Sequence, residues 1–587
     1  MAEKKHTYGQ ILKSSAIIGG SSIVNITIGI VRTKAMAILL GPSGVGLLGL
    51  YGSITDLMIN AAGMGVNNSG VRQIAEAAGS DDTERIARTA TVLRRVSIIL
   101  GLLGAVLLIL FSKPVSNVTF GNEQYAFAIS LLSLVVLFRI ISGGQGALVQ
   151  GLRRISDLAK MGILGSLFGT IISITVIYFF RIEGVAPSLV LIAAMGALTS
   201  WWYSRKINIQ TPLISASQLG HESAALLKLG FAFMVSGLMM SGAAYVVRLI
   251  IIRMVSFDAA GLYQSAWALG GLYVGIILQA MGSDFYPRLT AIAKNNKECN
   301  RIVNEQAHVS VLLAGPGIIA TLTFAPLIIE LFYSSKFEGA VEILRWLCLG
   351  MALRVISWPM GFIIIAKNAQ NLFIFSELAW TVVYLGLAWV CVSSFNLNGA
   401  GIAFFVSYIF HVLMIYLIVR QLSEFRCSTE NLQASFLFVA LIAVVFCSFY
   451  GLSPFLSMGV GIVAVLLSSA YSVQVLLSLI SLNRIPRPVL KLLQWFRLAP
   501  SESYEDNGLG NMVNTKISVT ALKDKPLVNI KWLIFAFIIC TLFLIGFHWY
   551  EETYGWSAAL KFFDLELEKL LEMLTNNLKV DFFISED

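Results

Sequence analysis

Among the arginines inside the long apolar runs of this sequence are Arg32, Arg139, Arg248 and Arg354. A guanidinium near the middle of a bilayer costs from about 2.5–3.5 kcal/mol upward, so it faces a bundle interior or a wet cavity rather than lipid. In such a place it is suited to anions, because it makes bidentate, charge-assisted hydrogen bonds to carboxylate and phosphate oxygens. Polar residues share the faces of these arginines. Ser21, Asn25, Gly29 and Arg32 recur every three or four residues and so form one helical stripe, and Gly237, Ser241, Tyr245 and Arg248 repeat that spacing. Ser53, Asp56, Asn60 and Asn67 make a third stripe, and Arg139, Ser142, Gly146 and Gln150 a fourth. Together they predict one lumen, cationic because the arginines outnumber Asp56. Its expected substrate contacts are Arg32, Arg248, Arg139 and Arg354, with Asn25, Ser241 and Tyr245. Asp56 is either a site for a coupling proton or cation or the partner of an arginine, a role that Glu377 could also fill. Lys34 and Arg253 lie nearer the ends of their runs and are expected to snorkel to the interface.

The elements that position these residues follow from composition. Of 587 residues 57% are hydrophobic and 13% charged, with mean hydropathy +0.78, whereas soluble domains are about 25% charged. A spanning helix needs roughly 20 mostly apolar residues. Fourteen such runs fill the chain, at about 14–40, 47–70, 92–112, 125–150, 157–180, 184–204, 228–254, 260–286, 308–333, 341–366, 372–394, 399–420, 433–451 and 455–482, and one more lies at 531–550. They are too long for strands and lack the alternation of outer-membrane barrels. The expected fold class is therefore an all-α polytopic membrane protein. Met1 to Lys13 is polar and basic, and the run after it is too long for the core of a cleavable signal.

The formal charge of +9 raises the question of nucleic acid, and its distribution answers it. With the N-terminus in the cytoplasm, the inward loops hold most of the Lys and Arg, among them Arg72, Arg85, Arg88, Arg94, Arg95, Arg153, Arg154, Arg288 and Arg484. The outward loops up to residue 457 hold three, Lys113, Arg181 and Lys336. That is the positive-inside bias, and it leaves no basic surplus that needs a polyanion. The expected location is the bacterial inner membrane, multi-pass. Six scattered cysteines form no disulfide or zinc spacing, and five separated histidines give no local metal motif. Gly44-Val45-Gly46-Leu47-Leu48-Gly49 matches G-x-G-x-x-G, but it joins two membrane runs instead of a strand and a helix, so it reads as a tight turn. There is no phosphate-binding loop of the G-x-x-x-x-G-K-[ST] type. Neither an enzyme signature nor a cofactor is expected.

Residues 1–215 set over 216–430 bring polar landmarks into register. Arg32 falls on Arg248, Gly46 on Gly261, Arg72 on Arg288, Arg139 on Arg354, Ser142 on Ser357, Gly146 on Gly361 and Gly184 on Gly399. Six helices per unit give both halves the same orientation, a parallel repeat with the substrate path between its halves. The expected organisation is a six-helix lobe at 1–216, a second at 217–430, two added helices at 431–483, a cytoplasmic linker at 484–530, an extra transmembrane helix at 531–550 and an acidic amphipathic tail at 551–587.

The run Ala37-Ile38-Leu39-Leu40-Gly41-Pro42-Ser43-Gly44-Val45-Gly46, after an arginine-bearing first helix, precedes a polar second helix and Val71-Arg72-Gln73-Ile74-Ala75. In these features the sequence resembles the Wzx-type O-antigen translocases of the multidrug/oligosaccharidyl-lipid/polysaccharide exporter superfamily, over about residues 8–425. The resemblance implies two six-helix lobes around a cationic cavity. It also implies flipping of an undecaprenyl-diphosphate-linked oligosaccharide, an O-antigen or exopolysaccharide repeat unit, from the cytoplasmic to the periplasmic leaflet by alternating access. The implied partners are that lipid-linked sugar, membrane lipids, and a polysaccharide polymerase with its chain-length regulator. Two alternatives stay open within the superfamily. One is a lipid II flippase, which the fourteen helices favour, and the other a cation-coupled multidrug exporter, against which the arginine stripes weigh. A non-transporting scaffold would need neither repeat nor stripes.

Overall fold

In lipid every backbone N–H and C=O must be satisfied within its own segment, so long apolar runs fold as helices. The computed structural model describes residues 2–79, 83–207 and 216–479, with Ile534, 537–539, Thr541, Leu542 and Ile545, and no strand occurs among them. The helices are α1 (Ala2–Gly63), α2 (Val66–Gly79), α3 (Thr83–Leu110), α4 (Ser112–Phe120), α5 (Ala126–Gly151), α6 (Ile155–Phe180) and α7 (Val185–Arg205). There follow α8 (Ala216–Met254), α9 (Phe257–Ala291), α10 (Asn296–Thr323), α11 (Ala325–Phe332), α12 (Ala340–Ala366), α13 (Gln370–Phe395), α14 (Asn398–Ser423), α15 (Thr429–Gly451) and α16 (Pro454–Leu479).

Among the described residues twelve segments are long and apolar enough to cross a membrane. Two of them, Gly20–Gly63 and Ile155–Arg205, have 44 and 51 residues, about twice the length of one crossing. Each is broken near its middle, the first at Gly41 and the second by a 3-10 turn, Arg181–Gly184. Counting each as two passes gives the fourteen expected. The linker at 484–530 and the tail at 551–587 lie outside the described residues, as does most of 531–550. The few described residues of 531–550 are helical, and Ile545 lies against Gly451 of α15.

One local expectation is corrected. The turn between the first two passes falls at Gly41-Pro42, upstream of the G-x-G-x-x-G run. Gly41 has φ 67° and ψ −171°, a region open essentially to glycine alone, and Pro42 is pre-set for the first helical position after it. Gly44, Gly46 and Gly49 are helical, and they serve as packing surface.

The described chain divides into two compact units. The first comprises residues 1–268, 326–343 and 374–407, and the second 269–325, 344–373 and 408–587. In the first unit α3, α5 and α7 share a core that includes Leu93, Leu108, Ile129, Leu132, Val136 and Val190. In the second, Phe438 of α15 packs over Gly315 of α10, and Arg345 of α12 sits 3.8 Å from the ring centroid of Phe449. Buried Asn304 of α10 donates to Arg426 O at 2.9 Å and accepts from Ser428 N at 2.8 Å. The two added helices are thereby fastened to α10.

Inside the first unit the second half of α1 crosses the start of α9, and repeat-equivalent residues touch at the crossing. Ser43 hydrogen-bonds Asp258. A Cβ added at Gly46 would lie 2.9 Å from the nitrogen of Gly261, and one at Gly261 would collide with the carbonyl of Pro42. A Cβ at Gly49 would lie 2.8 Å from Gln264 Oε1. Small residues permit such backbone approach between membrane helices.

Two basic residues add reciprocal clamps. Lys34 of the first repeat donates to Glu330 O in the last turn of α11, at 2.6 Å. Arg253 of the second repeat donates to Asn117 O and Val118 O in the last turn of α4, at 3.0 and 2.6 Å. Both use a cation to satisfy carbonyls at a helix C-terminus. Gly261→Ala should lower the unfolding temperature in detergent, by the equivalent of about 1–3 kcal/mol. Gly275→Ala, on the same helix with open space around it, should leave it unchanged or raise it by up to about 1 kcal/mol.

Candidate functional site

Arg248 of α8 is 7% exposed, and its donors are used. Nε and Nη2 donate to Gln264 Oε1 of α9 at 3.0 and 2.6 Å, and Nη1 donates to Ala244 O one turn back at 2.7 Å. Its guanidinium carbon stands 5.8 Å from the ring centroid of Tyr263, whose hydroxyl is 3.2 Å from that of Tyr384 of α13. A buried cation held this fully is a fixed source of positive potential.

Asp56 of α1 accepts from Arg139 Nη1 of α5 at 2.6 Å, with both side chains about half exposed. Asp56 is also within coulombic reach of Arg248. The third stripe, with Asp56 and Asn60, thus meets the other two: Asn60 Nδ2 donates to Gly237 O of α8 at 3.3 Å. Ser241 is buried and donates to the same carbonyl at 2.7 Å. Tyr245 shares a 2.6 Å hydrogen bond with Thr119 of α4, so its hydroxyl supports the fold at that end.

Arg32 joins neither group. It is half-buried and makes no hydrogen bond or ion pair among the described residues. The reason lies in the crossing below it: the residue equivalent to Gln264 is Gly49, and Gln264 itself occupies the space a side chain there would need. Asn25, two turns earlier on the stripe, lies against Gly162 of α6, and its buried Oδ1 has no partner among the described residues. The lone Oδ1 and the open guanidinium are what a polar ligand would use.

Arg354 belongs to the second unit. Its guanidinium carbon lies 5.1 Å from the Trp358 ring centroid, and its buried Nε has no partner among the described residues. One turn on, the hydroxyl of Ser357 is 3.1 Å from His411 Nδ1 of α14. The sequence reading missed Gln264, Tyr263, Tyr384, Trp358 and His411. Gln264 had a signal, since it falls on Gly49 at the repeat offset, and a polar residue opposite glycine marks broken symmetry. The aromatic residues had none, being ordinary in an apolar run. Lys34 and Arg253, expected at the interface, cap helices. Among the described residues no group of His, Cys, Asp or Glu could hold a metal ion.

Removing the partner of a buried cation costs more than removing an unpartnered one. Gln264→Leu should therefore lower stability by about 1.5–3 kcal/mol, and Arg32→Ala should change it by no more than about 0.5 kcal/mol. Thermal unfolding of the two purified variants in detergent checks the contrast.

Known proteins agree with this architecture. A lipid III flippase of Escherichia coli (strain K12) is 22% identical over 400 residues, which cover 68% of this chain and 95% of that protein. A Shigella flexneri protein with the provisional name O-antigen transporter is 25% identical over 400 residues, 66% of this chain and 92% of that one. The fold is similar to an inward-facing multidrug resistance MATE family transporter of the MOP superfamily, at TM-score 0.58 and 18% identity over 68% of this chain and 98% of that one. It is also similar to the lipid II flippase MurJ in an inward closed conformation, at TM-score 0.57 and 15% identity over 79% and 99%. A family described as polysaccharide biosynthesis protein matches residues 35–342. With more than half of its length matched, including Asp56, Arg139 and Arg248, the chain belongs to the polysaccharide biosynthesis protein family.

Proposed function

We propose that the protein is a flippase that moves a polyprenyl-diphosphate-linked oligosaccharide from the cytoplasmic to the periplasmic leaflet of the inner membrane, with the N-terminus in the cytoplasm. The observation that carries the reading is Arg32, a half-buried membrane cation without a partner among the described residues. Such a guanidinium is stable only beside water or an anion, and a diphosphate offers several oxygens in the geometry that guanidinium prefers. Membership of the polysaccharide biosynthesis family supports a saccharide cargo, and the names of the relatives support a lipid-linked one.

The charge arithmetic agrees. Arg32, Arg139 and Arg248 against Asp56 leave two positive charges, and a diphosphate esterified at both ends carries two negative ones. Arg248 is held by Gln264 and supplies potential, while Arg139 can trade Asp56 for the arriving anion because that pair is half exposed and weak. Asp56, once released, is the group available to take a proton. The two sequence repeats then exchange an inward-open for an outward-open arrangement, which requires the Lys34 and Arg253 clamps to break. Substrate drives the exchange only through differential binding to the two states. The membrane potential assists an anion leaving the cell by about 2.3 kcal/mol per charge per 100 mV. A polysaccharide polymerase with its chain-length regulator is the class of partner that would consume the product on the periplasmic side.

Arg32→Ala should reduce surface polysaccharide at least about tenfold at unchanged expression, the loss of one charge-assisted contact, with Arg32→Lys intermediate because lysine keeps the charge and loses the fork. Carbohydrate staining and immunoblotting of cells that depend on this chain would measure it. Undiminished polysaccharide in Arg32→Ala cells would remove the diphosphate role.

A further inference from the structure

The polar stripe of α5 runs through Arg139, Ser142, Gly146 and Gln150; Leu148 lies about half a turn away from it and Gln145 a little more than a quarter turn. On that opposite face is a separate cavity of about 210 Å³, bounded by Arg94 and Ser97 of α3, Gln145 and Leu148 of α5, and Trp201 and Ser204 of α7. At about 30 Å³ per water it has room for about seven waters, enough for a phosphodiester and the start of its glycerol. Being behind the stripe, it is not part of the substrate path described above.

Its chemistry is one-sided. Ser97 is 2% exposed, and its hydroxyl makes none of the back-bonds usual for a helical serine and has no partner among the described residues. That hydroxyl stands where a Cβ of residue 144 would be, so Gly144 is what leaves it room. Gln145 Oε1 accepts from Ser200 Oγ at 2.5 Å, which turns its amide nitrogen into the free donor. Arg94 is exposed and forms no ion pair among the described residues. Three residues with donors to give line it and no acidic residue does, a set suited to an anion with several oxygens.

Placement selects the source of that anion. Arg94 and Arg95 open the apolar part of α3, Arg153 and Arg154 follow the end of α5, and Arg205 and Lys206 end α7. These basic residues mark one membrane surface. Trp201 and Trp202 are 44% and 58% exposed, and Arg205 lies 5.2 Å from the Trp201 ring centroid, as in an interfacial aromatic belt. Past Arg94, Ile98 and Ile99 are exposed apolar surface, a path for acyl chains.

We propose that this cavity binds the phosphodiester of one membrane phospholipid, with Arg94, Ser97 and Gln145 donating to its phosphate oxygens and its acyl chains lying along α3. The bound lipid would fill the wedge between α3, α5 and α7 and supply the acceptor that Ser97 lacks. This assignment stands apart from the identity of the transported substrate.

Native mass spectrometry of the full chain in mild detergent, titrated with phosphatidylglycerol, tests it. Wild type should retain one lipid more tightly than the rest. Arg94→Gln should weaken that site at least about tenfold and Ser97→Ala about threefold, whereas Arg95→Gln, one residue away and outside the cavity, should leave it unchanged. Equal loss in Arg95→Gln, or no loss in Arg94→Gln, overturns the proposal in favour of diffuse surface charge. Two wild-type comparisons need no variant to fold. Diacylglycerol, which lacks the phosphate, should not occupy the site, and excess inorganic phosphate should not displace the lipid. Binding of diacylglycerol or displacement by free phosphate would each overturn the assignment.

Discussion

The difference between Arg248 and Arg32 depends on one crossing, the second half of α1 against the start of α9. In an arrangement with two-fold symmetry, residues on the axis meet their own counterparts. Here Ser43 meets Asp258, Gly46 meets Gly261, and position 49 meets position 264. The first pair is polar and the second has no side chains. At the third there is space for one side chain, and Gln264 has it while Gly49 yields. Symmetry breaks there because two side chains cannot occupy one volume in a close-packed interior. The result is chemical: Arg248 gains a partner, and its equivalent Arg32 does not.

That asymmetry separates three arginines that sequence alone treats alike. Arg248, enclosed and held through all three of its nitrogens, cannot leave its site without breaking three hydrogen bonds, two to Gln264 Oε1 and one to Ala244 O. Arg139 is tied only to Asp56 at a half-exposed bridge, a class of contact worth about 0–1 kcal/mol. Arg32 is tied to nothing described. A fixed cation, an exchangeable one and an open one give a path graded from structure to function, and the graded order follows from burial and partner count without reference to any relative.

How much of this was legible in the sequence depends on range. The passes were, because hydrophobic length is a local property; the fourteen runs match the helices except where breaks are made by backbone geometry, as at Gly41, or where helices extend into polar flanks, as α3 and α10 do. The repeat was legible through its arginines, and the crossing gives it a physical meaning in repeat-equivalent contacts. The stripes singled out Arg32, Asp56, Arg139 and Arg248, yet could not say which were satisfied. Satisfaction is a long-range matter. Tyr245 binds Thr119, Arg139 binds Asp56, and Arg253 binds the end of α4, each across 80 residues or more of sequence. No periodicity encodes such pairings.

The reciprocal clamps set the energy scale of the proposed cycle. Lys34 caps α11 and Arg253 caps α4, each reaching from one repeat to the short helix of the other. A cation at a helix C-terminus is worth about 0.3–1 kcal/mol when exposed and up to about 2 kcal/mol when partly buried. Two clamps therefore amount to at most about 4 kcal/mol. Moving a two-state equilibrium from 1:99 to 99:1 takes about 5.5 kcal/mol of differential binding. In the proposed cycle that sum is within reach of a ligand that grips Arg32 and displaces Asp56 from Arg139. A dianion moving outward gains a further sum of about 4.6 kcal/mol per 100 mV, which exceeds the clamps by itself. The proposed cycle thus asks no more of the clamps than the cargo's own charge can supply, provided that charge is what the arginines bind.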